Sequence, residues 1–169
     1  AISRMREKIR LFGDPQDSFD THGDCFTQYE AAIEKRKNGS TAAVVRGARI
    51  PSILLLGQTG TGKTLLARWV AKELLGDAAF HRVNISTFSK ELIDGELFGA
   101  TKGSYTGADV DKPGEFLKNR GRVVFLDEIG HMDPRCQVRL LTYLDEGLVR
   151  PLGWSGDPIP APCVVIAAT

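Results

Sequence analysis

The stretch GQTGTGKT, residues 57–64, sets three glycines ahead of a Lys-Thr pair, and that spacing suits one task. Gly57, Gly60 and Gly62 let the backbone curl until successive N–H groups face inward, a donor surface for phosphate oxygens. A helix beginning near Lys63 would add the positive end of its dipole at the same point. The Lys63 ammonium can reach β- and γ-phosphates, and the Thr64 hydroxyl can ligate Mg²⁺. The phosphate-contacting residues are therefore taken as Gly57, Gln58, Thr59, Gly60, Thr61, Gly62, Lys63, Thr64 and Leu65. A glycine-rich turn with no ligand is the alternative. The apolar run before the loop, the helical pattern after it and the Lys-Thr pair decide for phosphate.

Asp127 and Glu128 form the second constellation, two adjacent acids ending the apolar run RVVFLDE (122–128). Burying carboxylates is costly unless they are paired or bound to a metal. At the carboxyl edge of a parallel sheet, where ligands bind, they would meet the glycine loop. Asp127 would then join Thr64 in holding Mg²⁺, directly or through water, and Glu128 would polarise an attacking water. Acids and loop together point to a hydrolase rather than a passive nucleotide binder. The catalytic candidates are Lys63, Asp127 and Glu128, with Asn84 as a fourth. The Asn84 amide could donate to Glu128 and hold it off the water until phosphate is sensed. Equally, Asn84 could cap the STFSKEL segment that follows. Both readings stand at this point.

These residues need a scaffold. SILLL (52–56) is a short continuous apolar run, the pattern of a strand covered on both faces. TLLARWVAKELLG (64–76) repeats apolar residues at three-to-four spacing up to Gly76, which predicts a helix. AFHRVNIS (79–86), RVVFLDE and PCVVIAAT (162–169) read as further strands. DPRCQVRLLTYLDEG (133–147) predicts a helix with Asp133 as N-cap, Pro134 in the first turn and Gly147 at the exit. SKELIDGELF and KPGEFLKNR also look helical, and GWSGDPIPAP reads as a loop. Earlier in the chain, FTQYEAAIEKRKNG suggests a helix closed by Asn38-Gly39, and GDPQDSFDTHGD a turn-rich surface segment. Alternating strands and helices predict an α/β fold, a parallel sheet between two helical layers. The chain divides into an N-terminal helical or linker segment, residues 1–49, and a catalytic domain, residues 50–169.

Composition agrees with this and excludes other classes. Of 169 residues, 42% are hydrophobic and 25% charged, ordinary for a globular protein with one sizeable core. A net charge of +1 argues against nucleic acid or membrane as the main partner of this domain. No apolar run approaches the ~18 residues of a membrane span. The start, AISRMREKIRLFG, has no apolar signal core, and the missing initiator Met suggests a fragment. Cys25, Cys136 and Cys163, like His22, His81 and His131, lack metal-ligand spacing, which suggests reduced thiols in a cytoplasmic protein.

One passage fits none of these elements. GATKGSYTGADVD (99–111) is longer than the usual connection of about 4–6 residues, carries Gly103 and Gly107, and holds an aromatic near its middle. In order, GQTGTGKT, VNISTFSKELIDGELFGATKGSYTGA, GRVVFLDEIG, CQVRLLTYLDEGLVRPLG and VVIAAT resemble the AAA+ domain of bacterial sigma-54-dependent transcriptional activators. ELFGATKGSYTGA, the most specific of them, is similar to the family's E-L-F-G-H-x-x-G-A-F-T-G-A.

The resemblance implies a P-loop (AAA+) ATPase that uses ATP and Mg²⁺ and assembles as a homo-oligomeric ring, usually a hexamer. It implies remodelling of the sigma-54 RNA polymerase closed complex, with DNA bound only through a domain outside this chain. Carried over, Gly103, Ser104, Tyr105, Thr106, Gly107 and Ala108 form the loop that rises to touch sigma-54. Lys63, Thr64, Asp127 and Glu128 become the Walker residues, and Asn84 the switch asparagine. A supporting second loop would lie near Leu148–Trp154. The chain departs from the family at Ser104 for Ala, Tyr105 for Phe, Ala100 for His, and Thr142 and Pro151 for arginines. The sheet is expected to stop after its fourth core strand, with the sensor asparagine, arginine fingers, helical lid and DNA reader beyond Thr169. A fragment of that kind is expected to bind ATP and hydrolyse it poorly. Two other readings compete. One is an AAA+ remodeller of a different protein target, the other a nucleotide-dependent assembly scaffold without productive hydrolysis.

Overall fold

The computed structural model describes residues 52–76 and 79–169. The expectations for residues 1–49, including Cys25 and His22, lie outside them. Four parallel strands form the main sheet: β1 (Ile53–Leu55), β2 (Phe80–Asn84), β5 (Val123–Asp127) and β8 (Val164–Ala168), in the spatial order β1-β8-β5-β2. β5 is central, and all five of its residues are buried. Its continuous Val-Val-Phe-Leu run reflects that position, since a strand covered on both faces has no solvent side to pattern.

Helix α1 (Lys63–Leu75) covers one face, packing Leu66, Val70 and Leu74 on Val123, Phe125, Val164 and Ile166. Its apolar stripe is turned from the predicted one, because Leu65 is exposed. The other face carries α2 (Ile93–Phe98), α3 (Glu115–Lys118) and α4 (Pro134–Glu146), whose Leu97, Phe116, Leu140 and Tyr143 meet Val83, Val124, Leu126 and Val165. The arrangement is the expected three-layer α/β/α fold. Phe116 stacks on Tyr143 with ring centroids 3.9 Å apart, and the buried Tyr143 hydroxyl donates to the Ala161 carbonyl at 2.7 Å. Burial raises that phenol far above its usual pKa, so it stays a donor.

α4 has the ends its sequence promised. Asp133 accepts from the N–H groups of Arg135 and Cys136 at 2.8 and 3.0 Å, Pro134 opens the helix, and Gly147 closes it at φ 68°. β1 differs from expectation. Leu54 is 50% exposed, because β1 is an edge strand whose second face no described helix reaches.

The unusual passage after α2 is a hairpin. β3 (Gly99–Ala100) pairs antiparallel with β4 (Lys112–Pro113), so residues 101–111 form its tip. A second short pair, β6 (Leu148–Val149) with β7 (Ile159–Pro160), carries the GWSG segment between its strands, a pairing that the loop reading had missed.

Candidate functional site

The glycine loop connects β1 to α1 at the carboxyl edge of the sheet. Gly60 and Gly62 lie at φ 89° and 88°, a left-handed conformation that a side chain would resist. Gly62 is the N-cap and offers no capping side chain. The first N–H groups of a helix lack intrahelical acceptors, so those of Lys63, Thr64 and Leu65 open onto the loop, ahead of the Leu66-to-Gly62 bond at 3.0 Å. This 13-residue helix therefore ends in donors and positive dipole, which fits phosphate. The Lys63 ammonium sits in the mouth of the loop, donating to the carbonyls of Gly57 and, at 3.0 Å, Gln58.

The acidic pair approaches from the same edge, with β8 alone between β5 and β1. Thr169, the residue after β8, lies between the loop and the turn that follows the acids. Its carbonyl accepts from the Gly57 N–H at 3.3 Å, and its hydroxyl oxygen lies 3.2 Å from where a Cβ on Gly130 would stand. Asp127 is buried, at 8% exposure. Glu128, next in the chain, is half-exposed and turns out of the strand at φ 59°, the only positive φ among described non-glycine residues. A left-handed non-glycine residue costs of order 1–3 kcal/mol and marks functional positions more often than others. Its carbonyl accepts from the His131 N–H at 3.1 Å, and the turn Ile129–His131 follows.

Asn84 lies directly across from Asp127 in the β2–β5 register. Its side-chain oxygen accepts from the Ser86 N–H at 3.1 Å and the Ser86 hydroxyl at 2.9 Å. The capping alternative is therefore realised, and no hydrogen bond joins Asn84 to Glu128 in this structure.

Sequence reasoning missed Arg82. Its guanidinium donates to Asp127 Oδ2 at 2.7 Å. The signal was strand alternation, which puts Arg82 on the Asn84 side of β2. Only the register, Arg82 beside Phe125 and Asn84 beside Asp127, shows where it lands. This ion pair is also a test of metal fit. A nearly buried carboxylate here already holds a cation, the chain's own, and the donor set of Asp127 with Thr64 is hard oxygen, as Mg²⁺ requires. Among the described residues no cluster of three His, Cys, Asp or Glu could hold a metal by itself.

The hairpin tip is folded compactly. Gly103 N–H donates to the Ala108 carbonyl at 2.8 Å, and Ala108 N–H to the Tyr105 carbonyl at 3.0 Å. Gly103 and Gly107, at φ 79° and 92°, supply the two left-handed hinges. Tyr105 is not held out to solvent. It is partly buried, its ring edge 3.6 Å from where a Cβ on Gly95 of α2 would be. Thr106 and Gly107 at the turn are exposed, as are Lys102, Gly103, Asp109, Val110 and Asp111 along the arms of the tip.

The two hairpins are joined at their bases. Thr101 N–H donates to the Leu152 carbonyl at 2.9 Å, and Leu152 N–H to the Gly99 carbonyl at 2.8 Å. A Cβ on Gly153 would lie 2.5 Å from Thr101 Oγ1 and 2.8 Å from Ser104 Cβ, so only glycine fits there. Arg139 of α4 clamps the other side. It pairs with Asp94 of α2 at 2.5 Å, donates to the Arg150 carbonyl, and stacks its cation 4.5 Å from the Phe98 ring centroid. Lys112 at the hairpin base pairs with Glu96, whose hydrogen bond raises the lysine pKa above its usual value. Cys136 and Cys163 are free thiols, and burial pushes them up to about 12 and about 11.

With this geometry in hand, comparison with known proteins is direct. The chain matches the sigma-54 interaction domain over residues 28–169. It is 45% identical over 118 residues to the hydrogenase transcriptional regulatory protein HoxA of Cupriavidus necator, covering 69% of this chain and 24% of that protein. It is 45% identical over 120 residues to the sigma54-dependent transcriptional activator SfnR of Pseudomonas putida, covering 70% and 32%. The chain thus spans about a quarter to a third of these relatives. NtrX of Brucella abortus, solved in complex with ATP, shares the fold at TM-score 0.60 and 22% identity, covering 99% of this chain and 33% of that one.

Proposed function

This chain belongs to the sigma-54 interaction domain family, and we propose that it is the ATP-hydrolysing AAA+ module of a sigma-54-dependent transcription activator. One observation carries the reading. The glycine loop that leads into the uncapped start of α1 and the Asp127-Glu128 end of β5 lie at the same carboxyl edge of a parallel sheet, on strands with only β8 between them.

Phosphates of ATP would take the open N–H groups of the loop and of α1. Lys63 would leave the carbonyls of Gly57 and Gln58 for the β- and γ-phosphates, exchanging neutral acceptors for charged ones. Thr64 and Asp127 would hold Mg²⁺, which supplies neutralisation of charge on the phosphate oxygens. Glu128, free of the sheet and half-exposed, would accept a proton from water as the water oxygen bonds to the γ-phosphorus. The bond from that phosphorus to the bridging oxygen breaks, and ADP leaves. Asn84 can serve both of its readings, since its oxygen caps the turn while its amide N–H groups remain donors for Glu128.

The second half of the proposal concerns where hydrolysis is used. Residues 103–108 would contact sigma-54 in the RNA polymerase holoenzyme, with Thr106 at the tip and Tyr105 released from Gly95 when the loop rises. Subunits would assemble as a hexameric ring in the cytoplasm, with DNA bound by a part of the protein outside this chain. No helix among the described residues is long and apolar enough to cross a membrane.

The test uses the full-length protein. Glu128→Gln should keep ATP binding and lose hydrolysis by at least about 10²-fold, within the 10²–10⁴ range of general-base catalysis. Lys63→Ala should weaken binding itself. Sigma-54 should be retained with a transition-state analogue of ATP by the wild type and lost with Thr106→Ala. Unchanged turnover in Glu128→Gln would overturn the catalytic assignment. Absence of sigma-54 retention by the wild type would overturn the partner and favour a different remodelling target.

A further inference from the structure

Asp127 is the carboxylate that the proposed reaction needs for its metal, yet a cation already occupies it. Arg82 Nη2 lies 2.7 Å from Oδ2, with the aspartate side chain 12% exposed and the arginine 48% exposed. The pair is asymmetric. Asp127 is held by the most buried strand of the sheet, while the arginine stands on the edge strand β2 with nearly half its side chain in water. Alternation places Arg82 on the same sheet face as Phe80, Phe125 and Asn84, the face that α1 covers and toward which Thr64 begins its helix. The cation thus stands on the metal side of the carboxylate.

We propose that Arg82 is a built-in competitor for Mg²⁺, holding Asp127 Oδ2 in the empty site and releasing it when the metal arrives with nucleotide. This rests on the ATP-site reading above. A buried carboxylate left without a counter-charge is costly, so the empty site gains by having one in reserve. The cation must also be easy to displace, and a half-exposed partner meets that condition because solvent takes up the freed guanidinium. A fully buried arginine would not let go. The same logic covers Lys63, parked on loop carbonyls until phosphates replace them. Both cations of the site are stored on acceptors within the chain.

Competition lowers apparent metal affinity by the factor that the pair is worth. Solvent-exposed pairs are worth roughly 0.2–1 kcal/mol, and with the arginine half in water that scale makes Arg82→Gln tighten metal binding by roughly 1.4- to fivefold. The probe is Mn²⁺ titrated into the ADP-bound full-length protein and followed by the electron paramagnetic resonance signal of free Mn²⁺. Arg82→Lys keeps a charge without the planar fork and should fall between glutamine and wild type. Affinity for ADP in EDTA should be the same in all three, because no metal competes there.

Weaker or unchanged Mn²⁺ binding in Arg82→Gln, with ADP still bound, would overturn the competition and assign Arg82 to orienting Asp127 or to the surface alone. Failure of the wild type to bind ADP under any condition would remove the nucleotide site together with this proposal. A loss of fold in the glutamine variant would appear as lost ADP binding in EDTA, and the lysine variant then decides.

Discussion

Replacing Gly153 with alanine should part the two hairpins without unfolding the domain. At φ +73° an alanine pays roughly 1–2 kcal/mol for the left-handed backbone. Its Cβ would also stand 2.5 Å from Thr101 Oγ1 and 2.8 Å from Ser104 Cβ, and relieving such overpacking costs about 1–3 kcal/mol. Against this strain stand the bonds that join the hairpin bases, Thr101 N–H and Oγ1 to the Leu152 carbonyl and Leu152 N–H to the Gly99 carbonyl. At a net value of about 1 kcal/mol each, these three bonds fall inside the range of the strain, so the strain is of the size needed to open them. Local separation is therefore cheaper than global unfolding. Hydrogen exchange followed by mass spectrometry should show faster exchange in peptides covering 99–113 and 148–160, with β5 and β8 unchanged. Gly103→Ala is the control. Its φ is +79°, but nothing lies within 4 Å of the new Cβ, so it pays only the backbone cost. Equal exchange in the two variants would show that the contact between the hairpins is not what holds them, and would refute the argument.

Two further outcomes follow from single side chains. Burial pushes the Glu115 carboxyl up, but the hydrogen bond and charge of Lys118, and then those of His81, outweigh it and leave its pKa below the usual 4.5. A lowered folded-state pKa contributes stability above the unfolded value that is lost as pH falls through the folded one. Glu115→Gln should thus lower the melting temperature at pH 7 and converge with wild type as the pH falls through the lowered carboxylate pKa, beneath the usual 4.5; a gap that stays constant from pH 7 down through that fall would refute the assignment. Ser104 has a buried hydroxyl oxygen with no hydrogen-bond partner among the described residues, and removing an unpaired group costs nothing. Ser104→Ala should leave the melting temperature unchanged or raise it by about 2–4 °C, the shift for roughly 1 kcal/mol in a domain of this size. A clear fall by differential scanning calorimetry would mean that the hydroxyl is paired.

What could be read in advance was set by local chemistry. The ends of α4 were legible because each boundary residue acts on its own neighbours, Asp133 on the next N–H groups and Gly147 on the preceding turn. β5 was legible because burial on both faces leaves an unbroken apolar run. The same run in β1 misled, because an edge strand can carry it with one face open, and Leu54 shows that. Pairing across distance was hidden altogether. Nothing in GATKGSYTGADVD announces that Gly99 and Ala100 pair with Pro113 and Lys112, or that Tyr105 lies against Gly95. Arg82 makes the point most sharply. In sequence it is one charged residue in a short strand, and its chemistry appears only when the register sets β2 against β5. That register puts an arginine on Asp127, the carboxylate that the proposed reaction would give to its metal. A residue that would touch neither phosphate nor metal is thereby placed to set part of the metal affinity, which the Mn²⁺ titration of Arg82→Gln would measure.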